Sequence, residues 1–499
     1  MGGAVSSALI GNQWCRRVGW ATSFLKLPED ACFQRWDQRD NAPVVSGRRC
    51  RWWCAWVFVV VAPAAVAGVS PSGASTAAVT RPADGSPPAA PARKFAFRPW
   101  VSGNGRYVAF DSNAVLASGA ARGVRNVYVY DRETQLVELV SVGVHGTPAN
   151  GDSQRPTVSG DGRYVAFWSA ADNLVDGDTN GATDAFVRDR LSNTTTRVSV
   201  GPNGRQANGA SARPVISGDG NLVAFESAAS NLLPDDVLGR RTDTNGVEDV
   251  FVYNRSTQTT IRVSVASDGK QGAGESVRPS ISADGRFVAF QSLSAFDPDD
   301  TNKKLDVYIH DLTNGETQRV SVAAGGAPGN GGSYSPSLSA DGRYVAFWSN
   351  AGNLVADDTN GRPDVFVTDR ATGETERVSV ASDGTQSNGE SSDPSISPDG
   401  RYVAFWSAAT NLVPDDTNTK RDVFVADRGA HTTTRVSVAG DGSQSDGDSF
   451  SPCIAVLGDG RVLVAFDSAA TNLAPGGRAG GKGSDVFVHL DDAPGGAAT

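Results

Sequence analysis

The chain has 499 residues, a formal net charge of −10 and 39% hydrophobic residues, enough for one large all-β domain or several smaller domains. The acidic charge argues against a nucleic-acid partner, because binding to phosphates needs basic patches. The 56 glycines and 25 prolines indicate a chain with many turns.

The N-terminal region predicts an export signal. Residues 48–51 read RRCR, and the apolar run that follows ends in the small-residue pattern Ala65-Val66-Ala67. We predict a signal peptide over residues 44–67, a secreted or periplasmic protein, and no stable membrane span after cleavage. The alternative is an uncleaved anchor, because the apolar run is just long enough to span a bilayer. Residues 1–43 are interpreted as a segment upstream of a misassigned start codon.

Cysteine usage agrees with this division of the chain. Four of the five cysteines precede the predicted cleavage point, and only Cys453 follows it. The exported part therefore has no internal disulfide and no cysteine-based metal site. We interpret Cys453, in the apolar context SPCIAV, as a small core residue.

One repeat of 57–65 residues then recurs seven times, each copy marked by a turn glycine. These glycines are Gly105, Gly162, Gly220, Gly285, Gly342, Gly400 and Gly460. The copy at residues 393–438 shows four short strand patterns, PSIS, RYVAFWS, DVFVAD and TTRVSV. Four strands per repeat predict an all-β fold, a seven-bladed β-propeller of four-stranded antiparallel blades over residues 94–490, with a tail at 491–499.

The fourth strand pattern occurs only six times, so one copy must come from elsewhere. Residues 68–93 form a Pro/Ala-rich linker, in which AAVTRPADG (77–85) can be set against RVSVASDG (377–384). We expect this linker to supply a strand that closes the ring.

The tandem motif SPDGRYVAF, DVFVADR and TTRVSV resembles the WD-like β-propeller repeat of the TolB type. The likeness covers residues 94–490. It implies a periplasmic or secreted propeller that binds a partner. The TolB propeller has six blades and an additional N-terminal domain, so its role in the Tol–Pal system is not transferred to this chain of seven repeats.

The loop between the second and third strands of repeat 2 has the oxygen-rich spacing of a calcium loop. Asp176, Asp178, Asn180 and Asp184 supply the D-x-D-x-N-G-x-x-D pattern. Four other repeats keep D-x-N-x-x-x-D but lack the first aspartate. The alternative is an Asx-turn in which these side chains cap their own backbone. We hypothesise calcium at this loop as the one cofactor and expect no other.

Catalytic signatures are weak. His145, His310, His431 and His489 come from four different repeats, and none lies in a first strand, where channel-lining ligands would sit. His310 and His489 share one repeat position, which favours a structural role. We therefore predict a monomeric, non-enzymatic scaffold that binds a protein or carbohydrate. The alternative is a propeller enzyme that acts on a polysaccharide at the central channel.

Three further patterns concern charged and aromatic side chains. Asp189, Asp369 and Asp427 end third strands, and we expect ion pairs with Arg197, Arg377 and Arg435 on the next strands. Trp168, Trp348 and Trp406 share a position with polar residues in other repeats, which suggests partial exposure and either blade packing or stacking on a ligand. First strands carry Arg155, Arg213 and Arg278 and then Ser335, Asp393 and Ser451, which predicts a channel mouth that is basic on one side.

Overall fold

The computed structural model describes residues 75–80, 94–237, 239–474 and 483–491. The predicted upstream segment, the signal peptide, much of the linker and nearly all of the tail lie outside these residues. Within the described part no helix is long and apolar enough to cross a membrane.

The described residues form 28 strands and two short 3-10 turns, at Val144–Gly146 and Pro202–Gly204, with no α-helix. The strands are β1 (Ser75–Ala78), β2 (Lys94–Val101), β3 (Tyr107–Ser112), β4 (Asn126–Asp131), β5 (Leu136–Leu139), β6 (Ser153–Val158), β7 (Tyr164–Ser169), β8 (Asp184–Asp189), β9 (Thr194–Arg197), β10 (Ser211–Ile216), β11 (Leu222–Ser227), β12 (Asp249–Asn254), β13 (Thr259–Arg262), β14 (Ser276–Ile281), β15 (Phe287–Ser292), β16 (Asp306–Asp311), β17 (Thr317–Arg319), β18 (Ser333–Leu338), β19 (Tyr344–Ser349), β20 (Asp364–Asp369), β21 (Glu374–Arg377), β22 (Ser391–Ile396), β23 (Tyr402–Ser407), β24 (Asp422–Asp427), β25 (Thr432–Arg435), β26 (Ser449–Val456), β27 (Val462–Ser468) and β28 (Gly483–Leu490).

Five of the sheets are four-stranded, antiparallel and sequential, beginning at β6, β10, β14, β18 and β22. The other eight strands form one sheet, in which β26, β27 and β28 continue into β2, β3, β4 and β5. The link between β28 and β2 is parallel and only two residue pairs long, whereas β1 pairs with β28 antiparallel over four pairs. The predicted all-β class and the repeated four-stranded antiparallel unit are confirmed.

The N-terminal strand β1 occupies the place that a fourth strand holds in the other repeats. Ala78 lies opposite Phe487 on β28, just as Arg197 lies opposite Phe186 in repeat 2. The next residue, Val79, donates its N–H to the carbonyl of Val486 at 2.9 Å. The two ends of the described chain therefore meet in one sheet.

The second and third strands of each repeat are buried on both faces, as their nearly continuous apolar sequence predicts. Val165, Ala166 and Phe167 of β7 are each 0% exposed. The apolar clusters lie between neighbouring sheets: Phe167 packs with Val127 of the preceding repeat, and Leu463 of β27 packs with Phe110 of β3. Each sheet thus needs both neighbours to bury its faces, which is the arrangement of a β-propeller.

In six of the seven repeats, an aromatic or aliphatic side chain from the repeat before packs against the turn glycine; Gly460 is the exception. Gly162 has a φ of +81°, and a Cβ added there would lie 1.9 Å from the ring of Tyr107. Only glycine combines this left-handed conformation with so close an approach. The recurrence of the turn glycine in the sequence is therefore set by packing between neighbouring sheets.

Candidate functional site: a polar central channel

First strands from all seven repeats line one cavity of about 480 Å³. Each first strand contacts the first strand of the next repeat, and β26 contacts β2, so these strands form a closed cycle around the cavity. The cavity is within the size range of small-molecule sites.

One equivalent residue from each first strand faces this cavity from a β-bulge. The register between first and second strands shifts at this point in every repeat, and the residue has a φ between +47° and +55°. Bulges of this kind redirect a side chain and are frequent next to binding sites. The seven residues are Arg98, Arg155, Arg213, Arg278, Ser335, Asp393 and Ser451.

The basic side predicted from the sequence is present, and it is wider than predicted, because Arg98 joins the other three arginines. We call Arg98, Arg155, Arg213 and Arg278 the arginine arc. Arg98 could have been found by setting FRPWVS (97–102) beside QRPTVS (154–159). The other side of the cavity carries two serines and one aspartate.

Polar side chains on the second strands accept hydrogen bonds from the backbone N–H groups of the bulge residues. The backbone N–H of Arg155 donates to Asp111 Oδ1 at 3.1 Å, and that of Arg278 donates to Glu226 Oε2 at 2.8 Å. Gln291 and Asp467 do the same for Ser335 and Arg98, at 3.0 and 3.3 Å. These bonds satisfy backbone donors that the bulge removes from the strand ladder.

The second-strand position was predicted to be partly exposed, and this is wrong for the polar residues. Asp111, Glu226, Gln291 and Asp467 are at most 5% exposed, and Trp406 is 7% exposed. They tolerate burial because each of these five side chains makes at least one hydrogen bond: Trp406 Nε1, for example, donates to Asp393 Oδ2 at 3.2 Å. Sequence analysis missed this supporting layer because a position that alternates between tryptophan and acid resembles a surface position.

Burial perturbs the charges around the channel. It raises the pKa of Asp111 to about 6, against the opposing influence of Arg125, and it raises the pKa of Asp467 to about 7. Burial together with the neighbouring guanidinium groups of Arg98, Arg213 and Arg278 lowers the pKa of Arg155 to about 9. Strongly shifted groups of both signs in one cavity are typical of functional sites.

The four residues of the calcium hypothesis are only partly brought together. Asp176 is exposed, whereas Asp178 and Asp184 converge on Arg197 and Asn180 hydrogen-bonds to Asp184. The Arg197 guanidinium lies 3.3 Å from Asp178 Oδ1 and 3.8 Å from Asp184 Oδ2, and Asn180 Nδ2 donates to Asp184 Oδ2 at 2.9 Å. Within the described residues, no group of three or more His, Cys, Asp or Glu side chains is arranged to hold a metal ion. Calcium binding stays a prediction, and it requires the ion to displace Arg197.

The same aspartate–arginine contact is present in all five copies of the loop. We call these loops the connectors. In each connector, the aspartate of the Asp-Thr-Asn motif contacts the arginine that ends the fourth strand of the same repeat. The pairs are Asp178–Arg197, Asp243–Arg262, Asp300–Arg319, Asp358–Arg377 and Asp416–Arg435.

The cross-strand ion pairs predicted for the third strands are therefore wrong. Asp189 does not pair with Arg197, because the register of β8 and β9 places Arg197 opposite Phe186. Asp189 instead accepts two hydrogen bonds from Arg163 of the preceding turn, at 3.0 and 2.7 Å. Asp369 and Asp427 pair in the same way with Arg343 and Arg401.

The histidines with a shared repeat position have the structural role that their spacing predicts. His310 Nδ1 lies 2.9 Å from Thr317 Oγ1, and His489 Nδ1 lies 2.8 Å from Thr76 Oγ1 on β1. Neither lines the channel. Cys453 is buried, as predicted, and burial raises the pKa of its thiol to about 11.

The fold and the cavity together define a β-propeller with a polar central channel. No protein-family model matches the chain, and no curated protein matches it either. Solved structures similar to it include a putative TolB from Agrobacterium tumefaciens, with 16% identity over 57% of this chain and 80% of that chain, at a TM-score of 0.36. An acylaminoacyl peptidase from Pyrococcus horikoshii has 11% identity over 80% of this chain and 51% of that chain, at a TM-score of 0.44.

The tricorn protease is a third such structure, with 11% identity over 75% of this chain and 36% of that chain, at a TM-score of 0.31. The chain thus spans about half and about a third of the two peptidases. At these identities and scores the likenesses carry no argument about ligands or activity.

Proposed function

We propose that the chain is a secreted or periplasmic, non-enzymatic, seven-bladed β-propeller that binds a ligand in its central channel. On this proposal the eight-stranded sheet is two blades, with β1 completing the last blade beside β28 and β2 beginning the first. The short parallel contact between β28 and β2 favours this division, as does the closed cycle of seven first strands. The predicted export signal supports the location.

The observation that carries the proposal is the break in the repeat at the channel. Seven equivalent bulge positions carry three residue types, and the four arginines are consecutive around the ring. The five connectors, by contrast, keep the same aspartate and the same arginine at equivalent positions. Unlike polar groups that converge on one cavity are what a binding site requires.

The chemistry of the lining supports binding rather than catalysis. No histidine is among the described residues that line the cavity. Cys453 lines it, but its raised pKa disfavours the thiolate that nucleophilic catalysis needs. The Asp467 carboxylate accepts the backbone N–H of Arg98. The partners that fit a polar channel include a peptide or a carbohydrate.

A binding screen tests the proposal. The full chain is screened against small molecules by thermal shift, and each hit is measured again with the double variant Ser335→Gln/Ser451→Gln. This variant places long neutral side chains on the side of the channel away from the arginine arc, at backbone positions whose equivalents already hold arginine. The control, Ser192→Gln/Ser256→Gln, changes exposed turns outside the channel.

We expect hits to bind the control normally and the channel variant at least about tenfold more weakly. Equal affinity for both variants would place the ligand elsewhere and contradict the proposal. Conversion of a hit into a product, followed by mass spectrometry, would favour the polysaccharide-enzyme alternative.

A further inference from the structure

The arginine arc has more positive charge than its acidic neighbours can pair. The side chains of Arg98 and Arg155 have no hydrogen bond or ion pair within the described part of the chain. Arg213 Nη1 lies 3.1 Å from Glu226 Oε1. Arg278 Nη1 donates to Ser335 Oγ at 2.8 Å and lies 3.9 Å from Asp393 Oδ1.

The buried carboxylates near the arc are already engaged. Asp111 lies 3.5 Å from Arg125 Nη1, and it also accepts the backbone N–H of Arg155. Asp467 accepts the backbone N–H of Arg98 through Oδ1. The guanidinium of Arg155 is thus left facing the cavity beside three other guanidinium groups, without an acid of its own.

The fold does not require arginine at these positions. Ser335, with a φ of +50°, and Asp393, with a φ of +48°, occupy the same bulge as Arg98 and Arg155, with φ values of +50° and +49°. Clustering costs stability, because burial and mutual repulsion lower the pKa of Arg98, Arg155 and Arg278. A feature that is unnecessary for the fold and unfavourable for it points to a ligand.

We infer that Arg155, with Arg98 from the neighbouring repeat, binds an oxyanion group, phosphate or carboxylate, of a small ligand held in the channel. This inference rests on the proposed function and names the chemistry of its ligand. Guanidinium groups bind both oxyanions through paired charge-assisted hydrogen bonds, and they are less strongly hydrated than ammonium groups.

The surroundings favour a small ligand over a long anionic polymer. The whole chain carries a formal charge of −10, so the four channel arginines form a local basic cluster in an acidic protein, which disfavours a long polyanion that would also contact the surface. The cavity of about 480 Å³ has the size of a small-molecule site. Ser335 and Ser451, from the fifth and seventh repeats, also line the cavity and suit an uncharged, hydroxyl-bearing body of the ligand.

The test is isothermal titration calorimetry on the full chain with two series of probes. Inorganic phosphate and pyrophosphate represent one source of oxyanion, and acetate and citrate represent the other. Each probe is titrated into the wild type, Arg155→Met, Arg155→Lys and Arg401→Met. Arg401 is a matched control, because it is a partly exposed arginine outside the channel that pairs with Asp427.

We expect at least one series to bind the wild type and Arg401→Met equally, and Arg155→Met roughly tenfold or more weakly. Arg155→Lys should retain part of the affinity, since it keeps the charge but loses the planar fork. Binding by phosphates, carboxylates or both supports the site and identifies the source.

Two results would overturn the inference: binding by neither series of probes, or binding that is equally strong in Arg155→Met and in the wild type. Failure of this inference is distinguishable from failure of the proposed function. If screening hits bind Arg155→Met as well as the wild type but bind Ser335→Gln/Ser451→Gln more weakly, that result would support a propeller that binds a ligand in its channel, with a ligand that is not an oxyanion. A melting temperature of Arg155→Met at or above that of the wild type shows that the variant is folded.

Discussion

The connectors and the channel both place arginine at equivalent positions of the repeats, but they differ in how the charge is matched. In the connectors, five arginines each contact an aspartate of their own repeat, with nitrogen–oxygen distances of 3.1 to 3.5 Å. In the channel, arginine occupies four of seven equivalent positions, and the guanidinium group of Arg155 has no ion pair among the described residues.

This difference separates two uses of charge. Arg319 of a connector is 3% exposed, but Asp300 and Asp297 accompany it into the interior. Such an ion pair holds the chain in place, and its loss leaves a buried charge uncompensated. An arginine that recurs in the repeats together with its aspartate therefore stabilises the fold. An arginine that recurs without an acidic partner for its guanidinium group is available to a ligand.

The largest expected effect comes from breaking a connector. Arg262→Met leaves Asp243 and Asp249 without their common cation, so we expect the free energy of unfolding to fall by about 3–5 kcal/mol in urea denaturation. The matched channel variant, Arg155→Met, should leave it unchanged or raise it. Similar losses in the two variants would remove the distinction between connector and channel.

A somewhat smaller effect on the free energy of unfolding is expected from Asp467, the buried acid that accepts the backbone N–H of Arg98. The pKa of Asp467 is raised to about 7, so the native state binds more protons than the unfolded state between about pH 4 and pH 7. The contribution of protonated Asp467 to the stability of the native state is fully present below about pH 4, and it is lost as the pH rises through 7.

Asp467→Asn removes this dependence and keeps an oxygen to accept the Arg98 N–H. We expect the variant to be more stable than the wild type at pH 8, by up to about 4 kcal/mol, and the gain to shrink toward pH 5. Urea denaturation at both pH values measures it. A gain that is independent of pH would show that the carboxyl group stays ionised.

An exposed ion pair should matter little. Arg343 is about half exposed and pairs with Asp369 at 2.7 Å. We expect Arg343→Met to leave the urea midpoint of unfolding nearly unchanged, because solvent screens an exposed pair. A loss as large as that of Arg262→Met would mean that burial of the connector pairs is not what makes them strong.

The smallest expected effect is that of calcium. Because Arg197 already supplies positive charge to Asp178 and Asp184, we expect the same melting temperature in calcium and in chelator. A rise in melting temperature with calcium that Asp178→Asn abolishes would instead support the calcium hypothesis, and it would show that the ion displaces the guanidinium.

Local patterns predicted the strands well, because each is encoded by a few neighbouring residues. The turn glycine and the apolar run after it place β7 and its equivalents without tertiary information. The partner of Arg197 could not be found this way. It depends on a register that sets Arg197 opposite Phe186 and on a loop that returns Asp178 to the same side of the sheet.

The channel shows the same limit. The basic side was visible in Arg155, Arg213 and Arg278, since first strands face the axis of a propeller. The burial of Asp111 and Asp467 was not visible, because it follows from bulges in the next repeat, which bring a backbone N–H to each carboxylate. These contacts between a second strand and the bulge of the next repeat have no local sequence pattern.

The pairing of β1 with β28 also determines the order in which the molecule can be completed. Thr76 contacts His489, a separation of 413 residues, so the first strand in the described part of the chain acquires its partner last. Until then β28 has an unpaired edge, and contacts of such high sequence separation form slowly. Final assembly is therefore a late, intramolecular capture of an N-terminal segment, and chaperones or a neighbouring chain have their best opportunity to act before it occurs.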